Sequence, residues 1–116
     1  MSQQEKQWRP VCNVEDLIND SGVCVLINED TENEQQVALF SIGENKLFAV
    51  SNYDPFGKAN VLYRGIIGSL GGRYVVASPL YKQHFDLESG QCTEDESVSI
   101  EAYDVRVNEN TVEMCW

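Results

Sequence analysis

The chain has one histidine, His84, and four cysteines, Cys12, Cys24, Cys92 and Cys115. No two cysteines stand in C-x-x-C spacing, so the pattern of a zinc site is absent. The expected state of the four is free thiols, some of them filling the core. Basic residues are also few: eight Lys+Arg face nineteen Asp+Glu, for a net charge of −11. That sign repels phosphate backbones and anionic lipid, which excludes nucleic acid and membrane surfaces as partners and fits a basic face on a protein. No apolar run nears the roughly 20 residues of a membrane helix. The opening residues, M-S-Q-Q-E-K-Q-W-R-P, contain no apolar signal region, and the expected location is the cytoplasm. The glycine-rich stretch 65–72, G-I-I-G-S-L-G-G, lacks G-x-G-x-x-G and a Walker lysine. With no helix pattern after it, it cannot form a phosphate cradle and is expected to be a turning loop.

What is present is β pattern. Length and composition predict one soluble domain over residues 1–116. Arg9 to Cys12 reads as extended. Asn13 to Asn19 allows one helical turn, with Asn13 as N-cap and Asp16 three residues on. Val23 to Ile27 is a continuous apolar run, expected to be a strand buried on both faces. Glu29, Asp30, Glu32 and Glu34 lack the spacing and glycine of a calcium loop and read as a solvated tip. Val37 to Ile42 and Leu47 to Val50 flank a turn at Gly43-Glu44-Asn45. Further strands are predicted at Arg73 to Ala77 and Phe85 to Leu87. Val105 and Val107 alternate with polar residues, as do Val112, Met114 and Trp116, so a C-terminal hairpin turns at Asn108-Glu109-Asn110. Eight to ten short strands predict an all-β, antiparallel sandwich or small barrel.

Two stretches carry more than pattern: V-S-N-Y-D-P-F-G at 50–57 and S-P-L-Y-K-Q-H-F-D-L-E-S-G at 78–90. They resemble the two cluster-binding loops of Rieske ferredoxins, in which a C-x-H loop and a C-x-x-H loop hold a 2Fe-2S cluster through two Cys and two His. Asn52 and Pro55 in the first loop, Pro79 in the second, and the closing string Phe85-Asp86-Leu87-Glu88-Ser89-Gly90 carry the likeness. The resemblance implies a Rieske-like fold with two projecting loops. The four ligand positions, however, read Asp54, Phe56, Ser78 and Tyr81. These offer hard oxygen, a phenyl ring, a hydroxyl and a phenol where soft thiolate and imidazole are needed. No metal or cofactor is therefore expected in this chain, and Phe56 and Tyr81 are expected to fill the vacated volume.

A ligand-free Rieske-like chain of this length is similar to the small subunits of NAD(P)H-dependent nitrite reductases. That resemblance implies a subunit without catalytic residues, associated with a large subunit that carries FAD, a nicotinamide site, an iron–sulfur cluster and siroheme and reduces nitrite to ammonium. The loop tips, Tyr53 to Lys58 and Leu80 to Gln83, are the expected docking edge, with Tyr53, Phe56, Lys58, Tyr81 and Lys82 as partner-binding residues. Two alternatives remain open at this point: a Rieske-type ferredoxin with atypical ligands, and a free-standing acidic β binding module. Catalytic signals are weak. His84 and Asp86 alternate onto one strand face without a specified nucleophile, and Cys92 stands beside Glu94, Asp95 and Glu96, where negative potential opposes thiolate chemistry.

Overall fold

A computed structural model describes residues 6–43, 46–80 and 82–116. The strands are β1 (Trp8–Asn13), β2 (Ser21–Ile27), β3 (Gln35–Ile42), β4 (Lys46–Ser51), β5 (Tyr53–Asp54), β6 (Ala59–Asn60), β7 (Ile66–Leu70), β8 (Arg73–Ala77), β9 (His84–Asp86), β10 (Ala102–Asn108) and β11 (Thr111–Cys115). They form a six-stranded sheet in the order β1-β11-β10-β4-β3-β2, a three-stranded sheet β7-β8-β9 and a small pair β5-β6. Every strand pair is antiparallel. Among the described residues there is no α-helix, so the all-β expectation stands.

The central wall of the molecule is β3 with β4, and its alternation divides the core in two. Val37 and Leu39 of β3 and Ala49 of β4 face Ile27, Val112 and Met114. Ala38, Phe40 and Ile42 of β3 and Val50 of β4 face the other way, against Leu62, Val76, Phe85, Leu87 and Cys92. The second group lies under the three-stranded sheet, so one wall supports both the sheet's own core and the layer that bears the loops. The C-terminal hairpin predicted around residues 108–110 is β10 with β11, in register from Asp104↔Cys115 to Asn108↔Thr111. It joins the β2-β3-β4 meander through Ala102↔Val50 and Tyr103↔Ala49. The short turn after β1 spans Val14–Asp16, and the Asn13 amide donates to Asp16 Oδ2 at 2.9 Å.

Two expectations need correction. The run Val23 to Ile27 is not buried on both faces: Cys24 and Leu26 are exposed. β2 is the last strand of its sheet, and Cys24 and Leu26, paired with Ala38 and Gln36, lie at the margin of the face that the three-stranded sheet covers. The glycine-rich stretch is not a loop either. Ile66–Leu70 is strand β7, paired with β8 from Ile66↔Ala77 to Leu70↔Arg73. Ile67 reaches the core and Gly71 and Gly72 make the turn at positive φ, so only the last two of its four glycines act as breakers. Residues 44–45 of the predicted β3–β4 turn lie outside the described residues.

Candidate functional site

The first loop leaves β4 at Ser51 and is fixed by Asn52, which is fully buried. Its side-chain amide donates to Gln36 Oε1 at 3.0 Å, and its Oδ1 accepts the Tyr63 amide at 2.7 Å. Its backbone amide donates to the Gln36 carbonyl at 3.0 Å, and its carbonyl accepts the Leu62 amide at 3.1 Å. A buried amide with this many partners pins the loop both to β3 and to the turn Leu62–Arg64. The frame of the loop motif pointed to Asn52 without revealing this role.

The two loops then repeat one local design. In the first, Asp54 Oδ1 accepts the Phe56 amide at 2.9 Å, and the Lys58 amide donates to the Asp54 carbonyl at 2.7 Å. In the second, Ser78 Oγ accepts the Leu80 amide at 3.2 Å, and the Lys82 amide donates to the Ser78 carbonyl at 3.0 Å. Lys58 and Lys82 both take left-handed backbone, at φ 55 and 63. Asp54 and Ser78 are buried to within 1% and face each other, and the Ser78 hydroxyl donates directly to Asp54 Oδ2. They stand at the two thiolate positions of the cluster frame. Phe56, at the first imidazole position, is half-buried and packs on Phe85 with ring centroids 6.2 Å apart. Tyr81, at the fourth position, lies outside the described residues. The donors present do not fit a 2Fe-2S cluster. The carboxylate and hydroxyl are hard ligands already bonded to each other and to backbone amides, and a phenyl ring donates nothing.

The string 85–90 closes the second loop from beneath. Asp86 Oδ1 accepts the amides of Glu88 at 2.8 Å and Ser89 at 3.0 Å, while the Arg73 guanidinium binds both carboxylate oxygens. The hydrogen bond from Arg73, with help from the two amides, holds the Asp86 carboxyl below its usual range against the opposing effect of burial. His84 does not pair with Asp86. Its Nδ1 lies 2.6 Å from Glu94 Oε2, and its backbone amide donates to Glu94 Oε1 at 2.8 Å. Burial pushes the Glu94 carboxyl up, but these bonds and one from Thr93 outweigh it and bring it to about 2.

The Glu94 value predicts a pH dependence. The folded state holds this carboxyl below its ordinary 4.5, so the unfolded chain binds the proton more tightly and stability rises with pH. The contribution is complete above about pH 4.5 and is lost as pH falls toward about 2. The urea midpoint of wild type is expected to drop through that window more steeply than that of Glu94→Gln. Parallel curves would show that Glu94 contributes nothing there.

Cys92 is buried, with Sγ 3.7 Å from Glu94 Oε1, and no group of three or more His, Cys, Asp or Glu collects around a common point among the described residues. A groove of about 500 Å³ beside the first loop is lined by Gln36, Ser51, Tyr53, Pro55, Asn60 and Ser99, with Glu34 and Glu101 among its other walls. No helix among the described residues is long and apolar enough to cross a membrane. Of the expected partner-binding residues, Tyr53, Lys58 and Lys82 are exposed at the loop tips and Phe56 lies between them and the core.

Comparison with known proteins agrees with this geometry. The family described as Rieske-like [2Fe-2S] domain matches residues 7–115. The nitrite reductase (NADH) small subunit of Escherichia coli strain K12 is 40% identical over 109 residues, 93% of this chain and 96% of that one. The NMR structure of the E. coli protein NirD superposes with a TM-score of 0.82 at 39% identity, covering 96% of this chain and 97% of that chain. The nitrite reductase [NAD(P)H] large subunit of Klebsiella oxytoca is 32% identical over 107 residues, which are 92% of this chain but 11% of that much longer one. A Rieske-like fold, two loops closed on each other and this similarity along nearly the whole chain agree: the chain belongs to the family of nitrite reductase (NADH) small subunits.

Proposed function

We propose that this chain is the small subunit of a cytoplasmic NAD(P)H-dependent nitrite reductase, that it holds no iron–sulfur cluster, and that it acts by association with a large chain. The FAD, nicotinamide, iron–sulfur and siroheme chemistry belongs to that large chain. The observation that carries this reading is the hydrogen bond from Ser78 to Asp54, which closes the loops where two thiolates would hold an iron. Redox transfer through this chain has no carrier, so its contribution is a surface. The loop tips, with Tyr53, Phe56, Lys58, Tyr81 and Lys82, are the docking edge. The Klebsiella oxytoca relative supports association, because there the matching segment is part of a polypeptide named as the large subunit.

Purified alone, the chain should be colourless and free of stoichiometric iron and sulfide. Co-expressed with the large chain, it should co-purify and raise NAD(P)H-dependent nitrite reduction above that of the large chain alone. A brown protein with stoichiometric iron would refute the cluster-free reading, and unchanged nitrite reduction without this chain would refute the subunit role.

A further inference from the structure

We infer that the loop end is a cationic docking face, and that the surface it fits on the large chain is rich in carboxylates and partly apolar. This rests on the association proposed above. Net charge alone points the other way, since a −11 chain suggests a basic partner. The distribution of charge reverses that. Residues 55–85 contain no Asp or Glu, although the chain has nineteen, and they hold four of its eight Lys+Arg: Lys58, Arg64, Arg73 and Lys82.

The fold concentrates three of these four at the loop end. Lys58 and Lys82 occupy the same place in the two matched turns, exposed and in left-handed backbone. Glycine adopts that conformation at less cost, so backbone geometry does not explain a lysine at both positions. Arg64 belongs to the turn that Asn52 pins to the first loop, and its neighbour Gly65 sits against the Ala77 carbonyl at the base of the second. Its guanidinium stacks on the Tyr63 ring at 5.5 Å and is exposed. None of these three cations is within ion-pair distance of a described carboxylate. The fourth, Arg73, lies at the far end of β8 and is neutralised by Asp86 and Glu88. Of the carboxylates near the loops, Asp54 is buried on Ser78 and Glu94 is bound to His84, while Glu34 and Glu101 line the groove on one flank of the first loop and pair with none of the three cations. The same segments carry exposed apolar side chains, Tyr53, Leu80 and Ile66, the last 76% exposed.

Unpaired cations together with exposed apolar side chains are what an interface needs if its charge is to select a partner of opposite sign. The acidic remainder of the chain would be repelled by that same partner, so the charge separation also orients the approach. A second copy is disfavoured as the occupant by the overall −11 charge.

The test measures association of the full chain with the large chain across a salt series. Wild type is expected to associate much more slowly as salt rises. Lys58→Glu, Arg64→Glu and Lys82→Glu together are expected to weaken association about tenfold or more, chiefly through the on-rate, and to flatten the salt dependence. Glu15→Lys, Glu29→Lys and Glu32→Lys together, on the acidic body, should leave association unchanged. Circular dichroism melts establish that both variants fold. Salt-independent association with no loss in the first variant overturns the cationic face, as does a loss seen only in the second. Head-to-tail self-association of the isolated chain, abolished by the loop-end reversals, overturns the large chain as occupant. Failure of wild type to bind the large chain even at low salt instead overturns the association on which this inference rests.

Discussion

Gly90→Ala is expected to destabilise the chain by about 3 kcal/mol or more, a large part of the roughly 5–15 kcal/mol that holds a small domain together. Gly90 sits at φ +79, and a Cβ there would lie 1.9 Å from the Ile100 carbonyl oxygen. That oxygen belongs to backbone and cannot swing aside. The Ile100 amide donates back to the Gly90 carbonyl at 2.8 Å, and the Gly90 amide donates to the Asp86 carbonyl at 2.8 Å. Any shift that relieves the clash therefore breaks the join between the second loop and the segment leading into β10. Gly71 is the control: its φ is +57, but nothing lies within 4 Å of where a Cβ would stand. Gly71→Ala should cost only the left-handed backbone term, about 1–2 kcal/mol. Urea unfolding of both variants decides the point, and equal losses would show that the contact with Ile100 is not what makes Gly90 necessary.

This glycine closes the string Phe85-Asp86-Leu87-Glu88-Ser89-Gly90, and such local chemistry was legible in the sequence. Each residue of the string acts on its near neighbours: Asp86 accepts two amides within three residues and Gly90 turns the chain. The Asn13–Asp16 turn and the β10–β11 hairpin were legible for the same reason, because the interactions that specify them are short in sequence. The misreadings concern what lies on the other side of a strand. Val23 to Ile27 is as apolar as a doubly covered strand, and only its edge position in the sheet leaves Cys24 and Leu26 exposed. β7 was hidden because glycine signals a turn, whereas the pairing with β8 that makes it a strand depends on residues up to eleven positions away. At the site, the frame identified Asp54 and Ser78 separately. That they bond to each other across 24 residues follows only from the folded arrangement. The acid-free run 55–85, by contrast, could be read from the sequence directly, and net charge concealed it.

The Ser78–Asp54 bond is the interaction whose removal should be felt at both loops at once. Ser78→Ala takes away the hydroxyl that donates to Asp54 Oδ2, and it also removes the acceptor of the Leu80 amide. Asp54 is fully buried, so the freed carboxyl oxygen has no solvent to turn to. A buried acceptor left without its donor costs about 1–3 kcal/mol, and more when charged. Asp54→Ala should cost a similar amount through the lost Phe56 and Ser78 partners. The double variant has no orphaned carboxyl, and its loss should fall short of the sum of the two singles by about 1 kcal/mol or more. Urea unfolding of the four proteins gives that coupling. Hydrogen exchange locates it, because the Lys58 and Lys82 amides close the matching turns on Asp54 and Ser78. Each single substitution should speed exchange in both loops, including the one it does not touch. Additive losses within about 0.5 kcal/mol, or faster exchange confined to the substituted loop, would mean that the two loops are held independently and that this bond does not take over the bridging role a metal plays in the cluster-binding frame.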